Sequence, residues 1–162
     1  MPMVYTTSSR TVADSFTTSG TANTEIDALF IKPGARNCGM TLLQVGGRGA
    51  GLTTLSAIAF HIKKWTSTSS AAGTSITPAP KDPGFQAATA TAAGASAGVT
   101  SGTGGPIIVG AAICGAAGPG GWAARDMDSL NVAQGSSTTS IDVFVESGTV
   151  SLSYEMTAEH AE

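Results

Sequence analysis

Between Ile141 and Met156, two runs place large apolar residues at every second position. In SIDVFVESGTVSLSYEM, Ile141, Val143 and Val145 alternate with Asp142, Phe144 and Glu146. Beyond Ser147-Gly148, Val150, Leu152, Tyr154 and Met156 alternate with Ser151, Ser153, Glu155 and Thr157. Successive side chains of an extended strand point to opposite faces, so this period fits strands with one buried face and does not fit an amphipathic helix. Two such runs separated by a Ser-Gly break predict an antiparallel hairpin. Its register is constrained, because a slip of one residue would turn Asp142 and Glu146 into the core.

Similar pieces occupy the first half. RTVADSF carries Val12 and Phe16 on one side, and EIDALFIK places Ile26, Ala28 and Phe30 on one face with Leu29 and Ile31 on the other. GMTLLQV is apolar on both sides, as a central strand would be. LSAIAFHIKKW sets Ile58, Phe60 and Ile62 opposite Ala59, His61, Lys63 and Trp65, and PIIVGAAICG and GWAARDM are two further candidates. Short runs punctuated by Gly, Ser, Pro and Asn clusters predict an all-β chain. Helix signals are poor: Asp82-Pro83 can open a helix into GFQAATATAA, but the threonines and Gly94 argue against a long one. With 162 residues, the expectation is one domain, 1–162, built as an antiparallel β-sandwich of the jelly-roll type.

Residues 66–120 differ from the rest. Their only charged residues are Lys81 and Asp82, their only aromatic is Phe85, and the remainder is mostly Ala, Gly, Ser and Thr. The prolines of GTSITPAPKDPGF, residues 73–85, cannot donate to a ladder and hold the chain extended. The stretch therefore reads as a long Pro/Gly/Ala-rich insertion, arm or loop, stiff in its middle.

Only 12% of residues are charged, about half the usual share. Two readings are open: a neutral compact exterior, or a surface covered by copies of the chain or by a partner. Arg10, Lys32, Arg36, Arg48, Lys63 and Lys64 lie in the first 64 residues against Asp14, Glu25 and Asp27; afterwards acids outnumber Lys81 and Arg125. The basic residues are scattered and not interleaved with aromatics, which argues against nucleic acid. No run is long enough for a membrane-spanning helix, and MPMVYTTSSRTVADSF has no apolar signal core. Cys38 and Cys114 are too few for a disulfide framework. The expectation is a soluble protein made in a reducing cytoplasm, with both thiols free.

Catalytic signals are weak. VGGRGAGLTT, Val45 to Thr54, has Leu52 where a phosphate-binding loop needs Lys, so it reads as a glycine-rich turn. His61 sits mid-strand and His160 lies in the acidic tail EMTAEHAE, which reads as solvated. Two histidines and two cysteines in isolation give no metal-ligand spacing. Asp126 and Asp128 of RDMD share a strand face but lack further ligands. No enzyme and no cofactor are expected. Trp65 and Trp122 bracket the low-charge region, and each suits an interface or a core.

Taken in order, the strand and arm AFHIKKWTSTSSAAGTSITPAPKDPGFQAATATA, a glycine-rich loop, a Trp-containing segment and SIDVFVESGTVSLSYEM resemble small virion proteins of tailed bacteriophages. The resemblance is to the decoration (cement) type on the outside of the head. It covers the last two-thirds of the chain, and GTSITPAPKDPG after a strand ending in basic residues is its most specific part. It implies a homotrimer on the capsid exterior, made in the host bacterial cytoplasm. There it would bind the major capsid protein, bridge capsomers and stabilise the shell. The alternative is a tail, neck or head-fibre component that contacts the host surface. An arm that crosses a subunit boundary would put Ile76, Pro78, Pro80, Pro83 and Phe85 at the interface, with Trp65 and Trp122 nearby.

Overall fold

A computed structural model describes residues 2–9, 16–17, 26–48, 57–65, 74–94, 104–114, 120–123, 131–133, 139–147 and 153–162. Among them the chain is all β, with two antiparallel sheets and no α-helix. Strands follow in chain order: β1 (Val4–Ser8), β2 (Phe16–Thr17), β3 (Ile26–Lys32), β4 (Cys38–Arg48), β5 (Ala57–Trp65) and β6 (Thr74–Ile76). After them come β7 (Ala79–Pro80), β8 (Thr91–Gly94), β9 (Gly104–Cys114), β10 (Gly120–Ala123), β11 (Asn131–Ala133), β12 (Ser140–Ser147) and β13 (Ser153–Ala161). One sheet runs β10-β4-β13-β1-β7, with β11 also on β4 and β2 also on β13; the other runs β6-β8-β3-β12-β5-β9.

The predicted hairpin does not form. β12 lies between β3 and β5 in the six-stranded sheet, whereas β13 lies between β4 and β1 in the seven-stranded one. Alternation reports a strand with a buried face, and that face can be buried by its own sheet's neighbours or by the opposite sheet. Here each strand turns its apolar side inward from a different sheet. Ile141, Val143 and Val145 of β12 meet Tyr154, Met156 and Ala158 of β13 in one core. Ile26, Leu29 and Ile31 of β3, Met40, Leu43 and Val45 of β4, and Phe60 and Ile62 of β5 complete it.

β3 keeps a buried face despite an irregular pattern. Val143 faces Leu29 and Phe144 faces Asp27, so Ala28 is an extra residue in β3. Such a bulge shifts the phase of alternation, which lets Ile26 and Leu29, three apart, both serve the core. The two residues left over, Asp27 and Phe30, face the other way with Asp142 and Phe144, and all four are buried.

Residues 74–94 and 104–114, within the stretch 66–120 expected to stand apart, build both sheets. β6 and β8 extend the six-stranded sheet beside β3, β7 closes the edge of β1, and β9 pairs with β5. Small side chains are what makes this possible: Ala92, Ala93 and Gly94 are buried where β8 passes between β3 and β6. The Asp82-Pro83 signal opens a turn and not a helix. Asp82 accepts the Gly84 amide on its side chain (2.8 Å) and the Phe85 amide on its carbonyl (3.0 Å). Of the segment Val45 to Thr54, read as a glycine-rich turn, Val45 to Arg48 are the end of β4, and residues 49–54, like Asp126 and Asp128, lie outside the described residues.

Candidate functional site

Residues 77–90 form a strap that lies on the body of its own chain. Pro80 faces Tyr5 and Ala79 faces Thr6 in the β7–β1 pair, an edge position where the missing proline N–H does no harm. The Lys81 amide then donates to the Val4 carbonyl (2.9 Å), and the Lys81 ammonium reaches Glu159 Oε1 at 2.8 Å. The Tyr5 hydroxyl donates to the Gln86 carbonyl at 3.0 Å. A cleft of about 160 Å³ opens between β6 and the strap, lined by Ile76, Pro78, Ala88, Ala90 and Thr91 among others.

The predicted interface residues do not make one patch. Ile76 is 2% exposed and belongs to the core. Pro78 is buried, Pro80 and Phe85 are half-buried, and Pro83 is exposed. Trp65 ends β5, opposite Ser140, in one sheet; Trp122 stands opposite Leu43 in the other. The side chains of both tryptophans lie outside the described residues. Within the strap the scatter has a local reason: Pro78 and Ala90 near its ends are buried, and residues 81–84 in its middle are exposed.

The far end of the strap is held by a carboxylate. Glu162 extends the β1–β13 ladder by two bonds with Met3, of 3.1 and 2.9 Å. Its buried side chain accepts the Thr89 amide (3.0 Å), the Thr89 hydroxyl (2.9 Å) and the Ala90 amide (2.7 Å). Arg36 Nη1 lies 3.9 Å from Oε2 and His160 Nε2 lies 3.6 Å from Oε1. Burial alone would raise the Glu162 carboxyl; the Ala90 and Thr89 donors outweigh it and hold it below the usual carboxylate range. Gly34 completes the fit, because a Cβ there would run into the Thr89 carbonyl.

His160 corrects the reading of a solvated acidic tail. It lies on β13, fully buried, stacked on Tyr5 with ring centroids 5.4 Å apart. Burial disfavours the imidazolium and lowers its pKa, against an upward pull from Glu162. Nearby, burial and then the Glu162 charge push the Cys38 thiol up to about 12, so this buried free cysteine is a thiol and not a thiolate. Cys114 ends β9, with its side chain outside the described residues.

A second set of carboxyls lies on the other side of the core. Asp27 on β3 and Asp142 on β12 are diagonal neighbours on one sheet face, 1% and 0% exposed. Lys63 stands directly opposite Asp142, and its ammonium lies 4.2 Å from the centroid of Phe144. The four carboxyl oxygens make no close hydrogen bond among the described residues, although the two carboxyls lie near enough to interact and Ser140 lies beside Asp142. Burial, then the charge of Asp142, raises Asp27 strongly, against a smaller downward pull from Lys63. Burial also raises Asp142, with Ser140 and Asp27 moderating it. Two adjacent buried carboxyls cannot both ionise cheaply, so the pair holds one proton at neutrality. Sequence reasoning passed over both aspartates because alternation put them on the polar face. The two-sided burial of β3 and β12 was the missing information.

Comparison with family models, with curated proteins and with solved structures finds no match to this chain.

Proposed function

We propose that this chain is a structural virion protein that binds the outside of a tailed-phage capsid and stabilises it by bridging capsomers. In this reading the two sheets form a β-sandwich of the jelly-roll type, and the working assembly is a homotrimer against the major capsid protein. The observation that carries the reading is the strap. Thr77, Ala79, Pro83, Gly84, Gln86 and Ala87 are exposed along the strap, with Lys81 and Asp82 the charged residues among them, and the strap is held near both ends. A strap already ordered in the free subunit loses little conformational entropy on docking, and its small side chains allow close approach to a neighbour. Lys81 and Asp82, in the middle of this stretch, supply one charge of each sign, which can set orientation without building a strong field.

The reading is tested by electron cryomicroscopy of purified particles that carry the chain. Density for the two-sheet body on the head exterior, with residues 77–87 against the shell, is the expected result. Density on the tail or neck would favour the alternative, and absence from particles would overturn both. Light scattering on the isolated protein should report three copies.

A further inference from the structure

The strap has few holds for its length. Its ladder with β1 covers only Tyr5↔Pro80 and Thr6↔Ala79, and Pro80 contributes no donor. Thr77, Ala79, residues 81–84, Gln86 and Ala87 are exposed, so little apolar surface ties the middle down. Ile76 anchors one end in the core. At the other end three donors from Thr89 and Ala90 converge on a single side chain, 72 to 73 residues away in sequence.

We infer that residues 77–90 are a releasable strap over the β1 edge, and that the Glu162 carboxylate is the catch that holds it shut, opening when that carboxylate is neutralised. The inference is independent of the virion reading. A carboxylate offers only acceptors to the three donors; a carboxylic acid or an amide puts a donor among them and loses the charge assistance. Buried donors left without an acceptor then favour the open strap, where water can reach them. Opening bares the backbone of Val4 to Thr6, a strand edge of the kind that accepts an added strand.

The charged and titratable groups around the catch come from several elements. Arg36 approaches from the β3–β4 connection, Cys38 from β4, and His160 from β13 with Tyr5 of β1 stacked on it. Lys81 and Glu159 pair farther along the strap. The sign follows from Glu162, whose carboxyl is held below its usual range. Its contribution is fully present above the ordinary carboxylate range and is lost as pH falls through the lowered value. His160 acts in the same direction, since burial favours its neutral form.

The test is amide hydrogen exchange on the full chain, read at Lys81, Thr89 and Ala90, with Phe60 and Val143 as core references and rates corrected for intrinsic exchange. At neutral pH, Glu162→Gln should speed exchange at the three strap amides about tenfold or more and leave the references unchanged, about 1.4 kcal/mol of local opening. In the wild type the strap amides should lose protection in acid before the references do, and Glu162→Gln should lack that step. Thr89→Val removes one contact but keeps the charge, so it should retain the acid step with weaker protection. Equal strap protection in Glu162→Gln and wild type would overturn the inference. So would strap exchange that rises only together with the core. If Glu162→Gln does not fold, the wild-type acid series and Thr89→Val decide the matter alone.

Discussion

Glu162 and the Asp27–Asp142 pair are carboxyls withdrawn from water, yet their surroundings differ in kind. Glu162 is met by two amides and a hydroxyl, with His160 beside it, so its charge is compensated and its pKa falls. Asp27 and Asp142 lose water without comparable donors in return, so burial raises both pKa values, and the charge of Asp142 raises Asp27 further. The same side-chain chemistry thus stabilises the fold in opposite pH ranges. Donors decide the sign: a buried carboxylate with donors acts as a tie, and one without them becomes a proton store.

The largest effect should separate the two by pH. Asp27 and Asp142 have folded-state pKa values above their unfolded ones, so the folded state holds more protons above the ordinary carboxylate range. Their contribution therefore declines as pH rises, the reverse of the usual aspartate behaviour. The wild-type melting temperature should drop by about 10 °C or more between about pH 5 and pH 9, since about 1 kcal/mol moves it by roughly 2–4 °C at this chain length. Asp27→Asn should flatten that decline and raise the melting temperature at pH 9. Thermal unfolding that is flat from pH 5 to pH 9 in the wild type would remove the contrast. A gain in the wild-type melting temperature over the same range would reverse it.

Next in size is Glu162 itself. Glu162→Ala strands three donors, and bonds to a charged group contribute about 1.5–3 kcal/mol each where they are fully buried. A loss of about 2–3 kcal/mol at neutral pH, shrinking in acid, is the expectation from denaturant unfolding monitored at several pH values. A loss that grows in acid would mean that the side chain acts through packing and not through charge.

Gly34→Ala probes the same end of the strap without touching any charge. The new methyl meets the Thr89 backbone carbonyl, which has no freedom to rotate away. Overpacking of this kind costs about 1–3 kcal/mol. Loss of protection at Thr89 and Ala90, with Val143 unaffected, would show that shape and the carboxylate hold the strap jointly.

The smallest effect belongs to Lys81→Ala. The Lys81–Glu159 contact is short, at 2.8 Å, but the lysine side chain is 52% exposed. Such pairs contribute about 0–1 kcal/mol and are screened by salt. A change in stability below about 0.5 kcal/mol, vanishing in high salt, is expected from the same denaturant experiment. A larger, salt-resistant loss would place Lys81 beside Glu162 as a second anchor.

Much of the strand content was legible because local chemistry dictates it. The alternation of Ile141, Val143 and Val145, and of Tyr154 and Met156, follows from the two-residue repeat of an extended chain and needs no knowledge of neighbours. Pro80 was legible as an edge or non-strand residue for the same local reason, the absence of an N–H. Which strands pair was not legible. A buried face looks alike whether it meets its own sheet's partner or the opposite sheet, and so β12 and β13 read as a hairpin while they stand in different sheets. Burial on the polar face was equally hidden. Asp27 and Asp142 occupy polar positions of their strands, and solvent is the default neighbour for such positions, whereas His160 shares the buried phase of β13 with Tyr154, Met156 and Ala158. Only the assembled structure covers β3 and β12 on both sides and lays the strap beside β13. The strap itself was visible in the sequence as a stiff stretch whose only charges are Lys81 and Asp82. Its docking site was decided by Tyr5, Gly34 and Glu162, which are remote along the chain. Backbone preference is a property of adjacent residues, whereas a docking site is made of residues that only the tertiary fold brings together.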